Sequence, residues 1–358
     1  MIQVLEVCES YGGGVKKHVD YLYKYLDKAK YQAYFLVSGA RDNAIVPDGY
    51  IQEDALSAYK NPLMILKSIV TISHLVRRKH IQLIHAHSTI AAVLVYLFTF
   101  FSKQKVTLVY TPHAYLSEKK LAPLKKKIIL FVEQLYIKRY DCVINVSNQE
   151  RQHALSYHLS GPEKQIVIKN GIVSETAPYT RKNIKHVVNI ARCDKQKNPF
   201  EFIEIANKLK MVNDLDFTFV GGGELLEDCR RRVQRMKLTK VQFVGFSEDV
   251  KKWLKEADLF LSTSLYEGLP FSVIEAEAAG LPILLSNVVG HKELYKDNGH
   301  LYESGEVADA ASWIKKVRSD TDLLEQYSLN SMHVFDEEYT LGTMIDKIEN
   351  VYSGGVHR

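Results

Sequence analysis

The sequence predicts an α/β protein of two doubly wound domains, each a parallel sheet with helices on both faces. Three observations carry this. Short apolar runs alternate with helix-period segments along the chain, an arrangement that requires crossovers and therefore parallel strands. The same alternation restarts after Ile166-Val167-Ile168-Lys169-Asn170-Gly171, where a turn dipeptide breaks the chain. The 358 residues are enough for two domains that each bury a core.

The elements follow in order. Met1–Cys8 is a strand, Gly12–Gly14 a loop and Val15–Leu26 a helix. Gln32–Ser38 is the next strand, residues 61–79 have helical periodicity, and Ile81–Ala86, Val106–Thr111 and Cys142–Ser147 are short strands ended by polar or Gly/Pro punctuation. Past the break, Lys185–Ile190 is a strand and Pro199–Met211 a helix. Asp216–Val220, Val241–Val244, Asp258–Ser262 and Pro282–Leu285 are further strands, and Asp336 to Tyr352 is helical in pattern. Ligand crevices in such sheets lie at the carboxyl ends of the strands, so residues there are the ones to read for function.

Composition narrows the class. No repeat of 20–50 residues stands out, which argues against a solenoid or propeller. Cys8, Cys142, Cys193 and Cys229 are far apart and form no Cys-x-x-Cys pair, as expected of reduced core thiols in a cytoplasmic protein. The N-terminus reads as a strand and not as a leader, and the longest apolar stretch, Ile90 to Phe101, is 12 residues, too short to span a bilayer. Residues 1–180 hold 23 Lys and Arg against 14 Asp and Glu, while the remainder holds 24 against 28. The basic half should meet an anionic partner. Part of the excess lies in residues 119–139, where lysines precede Ile128-Ile129-Leu130-Phe131-Val132. A cationic entry followed by apolar residues suits a helix on anionic lipid headgroups and equally a core helix with a solvated end. No nucleic-acid recognition fold accompanies the charge.

The most informative segment runs from Ser264 to Pro282. A buried strand stops, Gly268 and Pro270 break the chain, and a helix starts near Phe271 or Ser272. Its free N–H groups and positive dipole end face the loop, which suits a diphosphate. Glu267 lies on the loop and Glu275 in the first turns, so the two carboxylates reach different parts of one ligand. Earlier, Arg192 and Lys197 lie five residues apart on a strand-end loop, a fork and a mobile ammonium suited to clamping a diphosphate. Gly221-Gly222-Gly223 permits either close backbone approach or a tight turn, and it lacks the Gly-x-Gly-x-x-Gly spacing of a dinucleotide site. In the first half, Tyr11-Gly12-Gly13-Gly14-Val15-Lys16-Lys17-His18 is a glycine loop entering a helix, and Thr111-Pro112-His113 ends a strand at the expected crevice. His85 and His87 share one face of their strand by alternation. No Asp-x-Asp or grouped His/Asp/Glu ligand set is evident, so no metal or other cofactor is expected.

The Glu267 to Glu275 segment, in its Glu-Gly-Leu-Pro-Phe and Glu-Ala-x-Ala-Ala-Gly-Leu-Pro context, resembles the Glu-x7-Glu signature of retaining, nucleotide-sugar-dependent glycosyltransferases of family 4. The likeness spans nearly the whole chain, strongly in the second half and loosely in the first. It implies the GT-B fold, two Rossmann-like domains facing across a cleft: residues 1–169 for the acceptor, 170–335 for the nucleotide sugar, and a tail, 336–358, crossing back to the first. On the family pattern Arg192 and Lys197 neutralise the leaving diphosphate, Glu275 holds the ribose, and Glu267 with Gly268, Leu269, Pro270, Phe271 and Ser272 holds the sugar and phosphates. Gly222 and Phe246 belong to the nucleotide side; Gly13, Gly14 and the active-site histidine His113 complete the site from the first domain. Lys16, His85 and His87 are candidates for the acceptor side. The implied reaction passes a sugar, from UDP by family habit, to a hydroxyl of a glycan. A polyprenyl-diphosphate-linked acceptor at the inner membrane face, as in bacterial surface or capsular polysaccharide synthesis, suits the basic first half. A GT-B nucleotide-sugar epimerase and a non-catalytic sugar-nucleotide-binding module are the alternatives.

Overall fold

The structure is a computed structural model that describes residues 1–40, 44–119, 121–173 and 183–354. Lys120 of the basic segment and residues 355–358 of the tail lie outside the described residues. The chain divides into two units, Met1–Lys169 with Met344–Arg358, and Asn170–Thr343.

The first unit is a seven-stranded, wholly parallel sheet: β1 (Ile2–Cys8), β2 (Tyr31–Val37), β3 (Ile51–Gln52), β4 (Leu83–His87), β5 (Thr107–Thr111), β6 (Cys142–Asn145) and β7 (Gln165–Val167), in the order β3-β2-β1-β4-β5-β6-β7. Its crossovers include α1 (Gly13–Tyr25), α2 (Pro62–Arg78), α3 (Thr89–Phe101), α4 (Pro123–Ile137) and α5 (Asn148–Ser156). The central strands are buried on both faces because helices cover both: Leu5, Val7, Ile84, Ala86 and Val143 are apolar, while Glu6, His85 and His87 put polar groups on the other face of β1 and β4. Local chemistry sets the helix starts: at α2 the Asn61 side chain accepts from the Leu63 N–H and Pro62 fills the first helical position.

The second unit repeats the plan with six parallel strands, β8 (His186–Ile190), β9 (Asp216–Val220), β10 (Val241–Gly245), β11 (Leu259–Ser262), β12 (Ile283–Ser286) and β13 (Gly299–Tyr302), in the order β10-β9-β8-β11-β12-β13. Its helices are α6 (Pro199–Lys208), α7 (Leu226–Arg235), α8 (Val250–Glu256), α9 (Phe271–Ala278), α10 (Val289–Leu294), α11 (Val307–Arg318) and α12 (Thr321–Glu338), followed by α13 (Leu341–Tyr352). In each sheet the strand order reverses at one point, between β1 and β4 and between β8 and β11, and the crevice of a doubly wound sheet opens there.

The tail departs from the sequence reading. The helical pattern from Asp336 is interrupted, because Ile172 N–H donates to the Tyr339 carbonyl at 2.9 Å and Leu341 N–H to the Ile172 carbonyl at 3.0 Å. Thr340 thus joins a one-residue bridge to Ile172, and only from Met344 does the chain group with the first unit. Gly171, read as a turn residue, is required at this crossing, since a Cβ there would stand 2.3 Å from the Thr340 carbonyl oxygen.

Candidate active site

In the second unit the predicted residues converge on the loops at the carboxyl ends of β8 to β12. Arg192 follows β8; its half-exposed side chain pairs with Asp194 at 3.2 Å and donates to Gln196 Oε1 at 3.4 Å. Lys197 is turned inward, with Nζ 2.5 Å from Glu267 Oε1 and only 14% and 7% of the two side chains exposed. Sequence reasoning treats Lys197 as Arg192's companion, whereas the structure gives it a carboxylate partner. Burial works to raise the Glu267 pKa, but the Lys197 charge with its hydrogen bond, aided by His291 and Ser264, outweighs burial and holds it below the usual range.

Two loops are stitched together to hold this pair. Thr263 Oγ1 donates to the Lys197 and Asn198 carbonyls at 2.9 and 3.0 Å, Leu265 N–H donates to the Gln196 carbonyl at 2.8 Å, and Gln196 Nε2 donates to the Tyr266 carbonyl at 3.0 Å. Past Glu267 the chain turns through Gly268, Leu269 and Pro270 into α9, which starts at Phe271 without a side-chain cap. Val273 N–H donates to the Pro270 carbonyl at 3.2 Å, and the positive end of the helix dipole faces this turn. Asn170 Nδ2 fixes the turn by donating to the Leu269 carbonyl at 3.0 Å. Ser272 and Glu275 are half-buried on α9, while Leu269, Pro270 and Phe271 are buried.

The glycine run resolves in favour of close approach. A Cβ on Gly221 would stand 1.8 Å from the Ala191 carbonyl oxygen, and one on Gly223 2.4 Å from that of Cys193. Both have positive φ, +147° and +155°. The β9 loop consequently lies on the Arg192 loop, with Cys193 N–H donating to the Gly222 carbonyl at 2.8 Å. Phe246, just beyond β10, stands 79% exposed, its Cβ 3.7 Å from where a Gly222 Cβ would be.

His291 is a neighbour that the sequence reading missed. It is fully buried on α10, its Nδ1 2.8 Å from the Ser286 carbonyl, and its Nε2 has no hydrogen-bond partner among the described residues. Burial pushes its pKa down to about 4 despite the nearby Glu267 charge. A lone histidine thirteen residues past the end of α9 offers no spacing signal.

In the first unit, Gly13 opens α1 at φ +52°, and Gly13 and Gly14 are exposed. Lys16 is engaged by Asp20 at 2.6 Å and lies over the Tyr11 ring. The strand-end histidines form a connected cluster. Glu6 Oε2 lies 2.9 Å from His87 Nε2, and His87 Nδ1 lies 3.2 Å from His113 Nε2. His18 of α1 joins them, its ring centroid 4.8 Å from that of His113 and 5.5 Å from that of His87. His113 and Ala114 both have positive φ, 55° and 117°, a strained conformation that turns the loop sharply after β5. His85 does share a strand face with His87, but both its ring nitrogens are occupied, Nδ1 by Tyr352 at 2.6 Å and Nε2 by Thr111 at 2.8 Å. That leaves His85 nothing to offer an acceptor, and it is a packing residue. Burial lowers the pKa of His85, His87 and His113, so these imidazoles are neutral, and raises that of Glu6 to about 8. Positions 6, 18, 87 and 113 are too scattered to announce this cluster; only the sheet register, with Glu6 beside His85 and Cys8 beside His87, assembles it.

Comparison with known proteins bears on the family and the fold. Residues 175–333 match the sequence profile of the glycosyl transferases group 1, and residues 12–176 that of glycosyltransferase family 4. The UDP-Gal:alpha-D-GlcNAc-diphosphoundecaprenol alpha-1,3-galactosyltransferase of Escherichia coli is 26% identical over 307 residues, 80% of this chain and 79% of that protein. The O-antigen biosynthesis glycosyltransferase WbnH of Escherichia coli is 30% identical over 182 residues, 51% of this chain and 52% of that protein. Among solved structures, Anabaena Alr3699/HepE in complex with UDP and glucose superposes with a TM-score of 0.80 at 20% identity, over 99% of this chain and 100% of that one. Sucrose-phosphate synthase of Thermosynechococcus elongatus gives 0.81 at 18% identity, covering 99% of each chain. At these identities the superpositions speak to the fold, which is GT-B.

Proposed function

The chain belongs to glycosyltransferase family 4, and we propose that it transfers a sugar from UDP to a hydroxyl of a lipid-linked glycan, with retention of anomeric configuration. The observation that carries the donor half is the buried Lys197–Glu267 pair four residues before the start of α9, with Arg192 on the adjoining loop. In this reading the acceptor oxygen bonds to the sugar C1 as the C1–O bond to the diphosphate breaks, and the acceptor proton leaves with the diphosphate. The charge left on that group is met by Arg192, Lys197 and the N–H groups of α9. Glu267 keeps Lys197 extended into the corner until a donor arrives, and then holds the sugar. Glu275 takes the ribose, and His113 serves the reacting sugar. No step calls on a metal, so EDTA should not lower turnover.

The acceptor half is supported by the diphosphoundecaprenol named in the Escherichia coli relative and by the surface of α4. Leu124, Ile128, Phe131, Val132 and Leu135 of that helix are exposed, spaced as one stripe, with Lys125, Lys126 and Lys127 beside it. No described helix is long and apolar enough to cross a membrane, and this reading puts the α4 stripe against the bilayer surface.

The test is a thermal-shift series with UDP, GDP, ADP and their sugars, followed by turnover of Arg192→Ala and Lys197→Ala. UDP compounds should raise the melting temperature. Each variant should lose about 10²–10³-fold in turnover, the cost of one charge-assisted donor. Wild-type rates in both variants would sink the donor assignment.

A further inference from the structure

We infer that His18, His87 and His113 form a site for a divalent cation of the zinc type, which when occupied takes His113 away from the reaction. His87 Nδ1 and His113 Nε2 already lie 3.2 Å apart. That is close to the roughly 3.3–3.4 Å edge of a tetrahedron with metal–nitrogen bonds of about 2.0–2.1 Å. One ring nitrogen of His18 lies within 4.8 Å of both, so a small ring rotation completes a three-imidazole face. A fourth position remains for water or a substrate oxygen, as in three-histidine zinc sites.

The surroundings suit a metal better than they suit a plain hydrogen-bonded cluster. His87 presents its outer nitrogen, Nε2, to Glu6 Oε2 at 2.9 Å, and Glu6 is itself held by the Tyr352 hydroxyl at 2.6 Å. A carboxyl group behind a ligating imidazole fixes the orientation of the ring. The alternative set of Glu6, His85 and His87 cannot serve, since His85 is bonded through both nitrogens and Glu6 is already shared between His87 and Tyr352. His18 and His87 are buried and His113 is half-buried, so an ion enters from the His113 side. His113 can hydrogen-bond a substrate or bind the ion through Nε2, but not both. Regulation through His113 rests on the proposed function; the site itself does not.

The experiment uses untagged full-length protein titrated with Co²⁺ and followed by its visible d–d absorption, then with Zn²⁺ as competitor. One Co²⁺ per chain with a nitrogen-ligand spectrum is expected, displaced by one Zn²⁺. A thiolate charge-transfer band would place the ion on cysteine, as at Cys193 and Cys229, whose sulfurs lie 3.8 Å apart, and would overturn the proposal. His18→Ala should bind at least tenfold more weakly, with His18→Gln as a second variant of similar size. For each, an unshifted melting temperature without metal separates lost ligation from lost folding. Zn²⁺ should also stabilise the wild type and neither variant. Absence of a stoichiometric spectrum, or equal binding in the variants, would overturn the site. Zn²⁺ should lower turnover and a chelator should restore it. Binding without inhibition would leave the site standing and count against His113 in the reaction.

Discussion

Lys197 and Glu267 show how much one buried charge depends on its partner. Removing a single member of such a pair leaves the other uncompensated, at a cost of about 3–5 kcal/mol, while replacing both can be nearly neutral. Lys197→Met should therefore destabilise the protein by that order in urea unfolding, and Lys197→Met with Glu267→Leu should recover most of it. The depressed Glu267 pKa sets the sign with pH: its stabilisation is complete above the ordinary carboxylate range and disappears as pH falls through the depressed value. His291 acts in the same direction at higher pH. The native state keeps this imidazole neutral down to about 4, whereas an unfolded chain protonates it near 6.5. Between those values the unfolded state binds more protons, so stability falls as pH is lowered from 6.5 to 4, by roughly 3 kcal/mol at about 1.4 kcal/mol per unit. Denaturation of His291→Phe across this range should show a shallower loss; an identical slope would mean that the buried nitrogen finds a partner when charged.

At the scale of elements, the sequence was most legible where one residue type has one physical use. The strands that line both crevices are short runs buried on both faces, and alternation with helices is enough to place them. The start of α9 was legible because Gly268 and Pro270 leave no other choice. The short strands β3, β7 and β13 were not, since each lies at a sheet edge and owes its pairing to a neighbour already in place. The break between α12 and α13 was hidden for a similar reason: a backbone bridge to Ile172, not a breaker residue, makes it. Gly221-Gly222-Gly223 left open what only packing decides. Because a Cβ at position 221 would overlap the Ala191 carbonyl, Gly221→Ala must separate the β8 and β9 loops. The left-handed φ adds strain of the order of 1–3 kcal/mol. We predict lower stability together with weaker UDP binding, measured by melting temperature and by calorimetry; unchanged UDP affinity would uncouple the β9 loop from the donor site.

For the whole molecule, the informative quantity is where apolar and basic surface coincide. Right-handed crossovers place α2, α3 and α4 on one side of the first sheet, and each packs on the next. Their outer faces expose Leu66 and Val70 on α2, Phe100 and Phe101 on α3, and the α4 stripe. Between α2 and α3 runs a groove of about 570 Å³ walled by Leu66, Ile69, Val70 and Phe101, with Arg77 and Arg78 at one end. The sequence marked residues 119–139 as basic and apolar, but it could not show that α4 turns this apolar face to solvent or that α2 continues the surface. Apolar side chains backed by cations bind anionic bilayers through two additive terms: insertion of the side chains, and attraction worth about 1 kcal/mol per Lys or Arg near the surface. The two respond differently to salt, because only the second is screened over a Debye length of about 10 Å at 0.1 M. Flotation with phosphatidylglycerol vesicles should recover the protein at low salt, and neutral vesicles should recover much less. Raising the salt should weaken binding without abolishing it, while Phe131→Asp with Ile128→Asp should remove the salt-resistant part alone. Equal recovery on neutral and anionic vesicles, or binding by the double variant that survives high salt, would show that this face of the first unit is not the one that meets lipid.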